Sequence, residues 1–118
     1  MSNVHKNAEI FLTHILESST LIVEKIKEVT EEQFHNSTDL QDIFIRRVEI
    51  IGEAVKHLPE DFTDKHPEIP WKKIAGMRDM LIHHYFEVDY NLLWATVSEI
   101  IPPFKKQIEF LLKELATK

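Results

Sequence analysis

Apolar residues recur at helical spacing from the start of the chain: Val4, Ala8, Phe11, Ile15, Ile22, Ile26 and Val29 share one face, with Lys6, Glu9, Glu17, Glu24 and Lys27 on the others. The pattern predicts a long first helix. It breaks over Glu31 to Ser37, and Thr38 followed three residues on by Gln41 resembles a capping box that opens a second helix. That helix should run to Leu58, because Pro59 cannot continue it. Three prolines and mixed charges make 59–70 a connection, with room for one short extra helix around Asp61 and Phe62. Pro70 suits the first position of a third helix, whose inner face would be Trp71, Ile74, Ala75, Leu81, Ile82 and Tyr85. Asp89 can cap a fourth helix beginning at Tyr90. There Leu93, Val97, Ile100, Phe104, Ile108 and Leu111 stay in phase across Pro102 and Pro103, so these prolines should kink the helix without ending it.

The predicted architecture is all-α, an antiparallel four-helix bundle forming a single domain over residues 1–118. Two Gly and five Pro in 118 residues are too few for the frequent turns of an all-β domain. With no Cys, disulfides, thiolate metal sites and Cys nucleophiles drop out. No uninterrupted apolar run exceeds four residues and Met1 to Lys6 lacks a signal peptide's apolar stretch, so the expectation is a cytoplasmic protein without a membrane partner. The net charge of −6 disfavours polyanion binding at large. Locally the balance reverses: from Trp71 to Phe86, Lys72, Lys73 and Arg78 face Asp79 alone. The second helix carries Ile43, Phe44, Ile45, Val48, Ile50, Ile51, Ala54, Val55 and Leu58, a wider apolar arc than one bundle core needs. A homodimer through this helix is therefore expected, with Gly52 admitting a close backbone, unless the helix is central in its own bundle.

The residue that points to chemistry is Arg78. On an ideal third helix, Trp71, Ile74, Leu81, Ile82 and Tyr85 fall within about 60° of it, which puts a permanent charge in the middle of an apolar stripe. Such a charge must be paired or serve a ligand. Arg47 stands in the same relation to Phe44, Ile51, Ala54 and Leu58, and the plain alternative for each of the two arginines is that it snorkels or pairs with a carboxylate such as Glu49 or Glu53. Asp79 and His83 are four apart, a spacing at which a helix lets the carboxylate orient the imidazole. His84 reads as a solvated neighbour.

The string Arg78-Asp79-Met80-Leu81-Ile82-His83-His84-Tyr85 carries the pattern R-x-x-x-x-H-x-Y, within a longer stretch from Ile69-Pro70-Trp71 through Gly76-Met77-Arg78 to Phe86. Together with Arg47-Val48-Glu49-Ile50-Ile51-Gly52-Glu53-Ala54 upstream and the Trp94 to Pro102 spacing downstream, it resembles the HEPN-type toxins of the HepT-like family. The resemblance covers nearly the whole chain, with its specific motifs in residues 46–102. It implies a small helical homodimeric toxin of a bacterial or archaeal toxin–antitoxin pair, paired with a nucleotidyltransferase antitoxin, that cleaves RNA without metal or cofactor. Arg78 and His83 would be the catalytic pair, Asp79 a supporting residue and Tyr85 the residue the antitoxin adenylylates. Metal-free cleavage needs a proton carrier and a cation over the phosphate, which His and Arg supply. One difficulty is geometric. On an ideal helix Arg78 and His83 diverge by about 140°, so either the helix distorts or two subunits build the site. The alternatives are a non-catalytic helical module that binds a nucleotide or the nucleotidyltransferase, and a plain scaffold. A carboxylate di-metal site is disfavoured, since only Glu32-x-x-His35 has the spacing.

Overall fold

A computed structural model describes the backbone of residues 2–84 and 87–117 and the side chains of 7–81 and 87–117. Helix α1 spans Ser2–Ile26, α2 Glu31–His35, α3 Thr38–Lys56, α4 Glu60–Asp64, α5 Trp71–Ala75, α6 Met77–Leu81, α7 Tyr90–Ala95 and α8 Ile101–Ala116, with the strands β1 (Ile82–His84) and β2 (Glu87–Val88) between α6 and α7. The helical bundle is as expected, including the short extra helix in the 59–70 connection. No helix among the described residues is long and apolar enough to cross a membrane.

The capping box lies one element earlier than Thr38 and Gln41 suggest. Thr30 accepts from the Gln33 backbone N–H and Gln33 returns a bond to Thr30 N, so the box opens α2. Ser37 caps α3 by accepting from Leu40 N, and the Gln41 amide reaches back to the carbonyls of Phe34 and His35. A five-residue helix has too few turns to show periodicity, which is why 31–37 reads as a break. Its purpose is Phe34, fully buried with ring centroids 5.7 Å from Phe44 and 5.2 Å from Trp94.

The helix runs through Pro102 and Pro103 without ending, as expected. They lie in the first turn of α8, just after Ile101, and Thr96–Ile100 before it form a π-helical stretch that joins α7 to α8. Prolines bring no N–H, so the regular ladder is interrupted ahead of them, and the Ile101 N–H reaches back five residues to the Thr96 carbonyl. The Thr96 and Ser98 hydroxyls donate to the carbonyls of Leu92 and Trp94, at 2.8 and 2.6 Å.

The broad apolar arc of the second predicted helix has an intramolecular explanation. Helix α3 is central, packing against α1, α5, α6, α2 and α7, and it buries Phe44, Val48, Ile51, Ala54 and Val55 among them. Gly52 is part of this core. A Cβ there would stand 3.4 Å from the carbonyl oxygens of both Ile74 and Ala75, so the backbone that approaches Gly52 is α5 of the same chain, and the expectation that it serves a dimer is corrected. Ala at this position should be tolerated, its contact offset by about 1 kcal/mol of helix propensity. Gly52→Leu should overpack the α3–α5 contact by about 3 kcal/mol and lower the melting midpoint by about 10 °C. Thermal melts of both variants check this; an unchanged midpoint for Gly52→Leu would contradict the packing.

Candidate active site

The third predicted helix is in fact two. At Gly76 the backbone reaches φ −89° and ψ 0°, and α6 starts afresh at Met77. The Gly76 N–H closes the last turn of α5 on the Lys72 carbonyl at 3.0 Å, and the Met80 N–H opens α6 by donating to the Gly76 carbonyl at 3.1 Å. The phase does not continue. Met77 and Leu81 turn into the core, and Arg78 turns out with its side chain 53% exposed, so it does not sit mid-stripe as an uninterrupted helix would require.

Arg78 is nevertheless held. Its Nε donates to Glu49 Oε2 at 2.9 Å, and its Nη1 lies 3.7 Å from Asp79 Oδ1. The hydrogen bond and charge of Glu49 raise the guanidinium's pKa above its usual value, outweighing desolvation, with smaller help from the charges of Asp79 and Glu53. The cation is permanent. Glu49 comes from the middle of α3, 29 positions earlier in the chain, and it anchors the one end of the guanidinium while leaving the other toward solvent and Asp79. Glu49 is one of the two carboxylates the sequence offers as partners for Arg78 and Arg47, and the structure gives it to Arg78. Arg47, half-buried on α3, lines an open groove together with Glu24 and Glu28 of the α1 end and Ile43.

After Leu81 the helix stops. Ile82–His84 is extended and pairs antiparallel with Glu87–Val88, in the register Ile82 to Val88 and His84 to Glu87. This corrects the prediction that the third helix reaches Tyr85. A β-branched residue followed by imidazoles and aromatics favours an extended chain, and the Asp89 N–H closes on the Leu81 carbonyl at 2.7 Å, satisfying one of the helix's last acceptors. Asp89 then caps α7 as predicted, accepting from Leu92 N at 3.0 Å.

Two consequences follow for the catalytic candidates. Asp79 and His83 are not on one helical face, because His83 sits in β1; the recorded contact of the Asp79 carboxylate is with Arg78. The divergence of about 140° between Arg78 and His83 also disappears, since it presupposed a continuous helix. The side chains of His83 and His84 and the whole of Tyr85 lie outside the described residues. Lys72 and Lys73 are exposed on α5, one short helix before Arg78, so the locally basic surface is present. Among the described residues no group of three His, Asp or Glu is placed to hold a metal ion.

Comparison with known proteins gives a consistent picture. The family model described as Ribonuclease HepT-like matches residues 15–111. A Methanocaldococcus jannaschii protein whose name joins gamma-glutamylcyclotransferase and RNase is 50% identical over 112 residues, 95% of this chain, and the chain spans 50% of that protein's length. A Caldanaerobacter subterraneus protein with an RNase name is 44% identical over 109 residues, covering 92% of this chain and 97% of its own. The "Probable ribonuclease HepT" of Thermococcus cleftensis is 47% identical over 113 residues, 96% of this chain and 100% of that protein. No solved structure matches significantly.

Proposed function

We infer, because the chain belongs to the ribonuclease HepT-like family, that it is the ribonuclease toxin of a toxin–antitoxin pair, cleaving RNA without a metal and silenced when a partner nucleotidyltransferase adenylylates Tyr85. The observation that carries the reading is Arg78: a permanently charged guanidinium, fixed at the surface by Glu49, five residues before His83. A fixed cation beside a titratable imidazole suits a phosphodiester whose charge grows in the transition state.

In this reading the ribose 2′-OH gives up its proton and its oxygen attacks the adjacent phosphorus. The P–O5′ bond breaks, the 5′-oxygen takes a proton, and the products are a 2′,3′-cyclic phosphate and a 5′-OH. His83 carries one or both protons. Arg78 pairs with the non-bridging oxygens, and Glu49 keeps its fork pre-set so that little orientation is lost on binding. Asp79, on the far edge of the guanidinium, supports the same orientation. Two copies of the chain form the working unit, each contributing an Arg78 and a His83.

The test is cleavage of a labelled RNA by the purified chain in excess chelator, with the product ends identified. Full activity with cyclic phosphate ends is expected. Activity that appears only on adding a divalent metal would overturn the mechanism, and RNA or nucleotidyltransferase binding without cleavage would favour the non-catalytic module.

A further inference from the structure

Helix α7 carries two aromatic residues, Tyr90 and Trp94, four positions apart and therefore on one face. Neither belongs to the buried core. Tyr90 is 38% exposed and Trp94 half-buried, although rings of this size are what a bundle core most readily covers. Phe34, the buried ring of α2, stands behind both, its centroid 6.5 Å from that of Tyr90 and 5.2 Å from that of Trp94, and so fixes where the two rings lie. Their polar edges are uncommitted. The Trp71 indole N–H donates to the His66 carbonyl, but the Trp94 indole N–H and the Tyr90 hydroxyl make no hydrogen bond among the described residues.

This pair adjoins the candidate active site. Tyr90 follows Asp89, whose N–H closes on the Leu81 carbonyl, and Leu81 ends α6 three residues after Arg78. Chain geometry therefore keeps the backbones of Arg78 and Tyr90 within about 15 Å of each other. An arginine side chain, one nucleotide and a phenol ring together bridge that span. Met80, the residue before Leu81, is 50% exposed and adds a soft apolar surface at the same neck of the hairpin.

We propose that Tyr90, backed by Phe34 and Trp94, is the platform on which a nucleobase of single-stranded RNA stacks while the neighbouring phosphate sits at Arg78. This rests on the ribonuclease reading for its substrate. An aromatic face next to a fixed cation matches the two halves of a nucleotide, since every base has a π-face and every phosphate a negative charge. The free hydroxyl and indole N–H can bond the polar edge of a base, whereas an apolar protein segment would cover them and leave them unpaired. A base inside a duplex is already stacked on both sides, so the platform selects an unpaired strand.

The test pairs Tyr90 variants of the full chain with RNAs that lack the base on one side or the other of the cleaved bond. Tyr90→Leu keeps an apolar contact to Phe34 and removes the π-face, and it should lower kcat/KM by about 5- to 100-fold, the range of one base–aromatic stack. Tyr90→Phe should lose less than Tyr90→Leu, with both folded by circular dichroism. An abasic nucleotide at one of the two positions should slow the wild type by a similar factor and slow Tyr90→Leu no further. A wild type indifferent to base removal at both positions, losses that multiply independently, or Tyr90→Leu at the wild-type rate would each overturn the platform. Binding without chemistry separates it from the ribonuclease reading. In a 2′-fluoro RNA, which lacks the attacking hydroxyl, 2-aminopurine fluorescence should be quenched by the wild type and less by Tyr90→Leu. That quenching from a chain that cleaves no RNA would refute the ribonuclease reading and keep the platform; cleavage that needs Arg78 and His83 but is indifferent to Tyr90 would do the reverse.

Discussion

Replacing His83 with Ala should lower RNA cleavage by about 10²- to 10⁴-fold, the usual loss when general acid–base help is removed. Fold stability should scarcely change. His83 lies in β1, past the end of α6, and the bundle core is built from Phe34, Phe44, Ile51, Ile74, Leu93 and Phe104 on other elements. Arg78→Ala should match the loss by removing the cation, and Arg78→Lys should recover only part of it, since an ammonium cannot reproduce the Nε contact to Glu49 and a fork toward phosphate together. Glu49→Gln is expected to fall between, lowering the rate while leaving the Arg in place. Initial rates on one RNA, with circular dichroism of each variant, make the comparison. If His83→Ala cleaves at the wild-type rate, the catalytic assignment fails. If it unfolds, the residue is structural.

The second large effect concerns Tyr85. Adenylylation of its phenol would put a phosphodiester and a nucleoside two residues beyond His83, where the added negative charge can engage Arg78 in place of the substrate phosphate. Cleavage should be blocked by charge and bulk together. Tyr85→Phe loses only a hydroxyl, so it should keep most of its ribonuclease activity and become insensitive to the nucleotidyltransferase. Intact mass after incubation with that enzyme and ATP should rise by about 329 Da, the AMP moiety, on the wild type and not on the Phe variant. An equal mass gain on both would show that another residue is the acceptor, and a Phe variant that is still silenced would remove Tyr85 from the regulation.

The features legible in the sequence are those that depend on neighbours in the chain. Helical periodicity over α1, α3 and α8 comes from burying one face of each, and each face is complete within the element. The Asp89 cap, the stop at Pro59 and the passage of the last helix through Pro102 and Pro103 are likewise set by bonds spanning a few residues. The string from Arg78 to Tyr85 stands out as a candidate site for the same reason: five of its residues are of types that can carry chemistry, within one short stretch.

What failed were inferences that assumed a local pattern would continue. A wheel drawn from Trp71 to Tyr85 presumes one helix, but Gly76 resets the phase and the chain becomes extended at Ile82, so the wheel's placement of Arg78, Asp79 and His83 relative to one another did not survive. The sequence by itself determined the helical bundle, the identity of the candidate catalytic residues and the basic character of their surroundings. Only the tertiary structure decided that Arg78 faces outward, that Glu49 and not Glu53 is its hydrogen-bond partner, and that Gly52 receives α5 of its own chain. Each of these is a contact between elements far apart in the chain, fixed by how α3 packs against α5 and α6, and nothing in the spacing of residues along one helix specifies which residue of another will meet it.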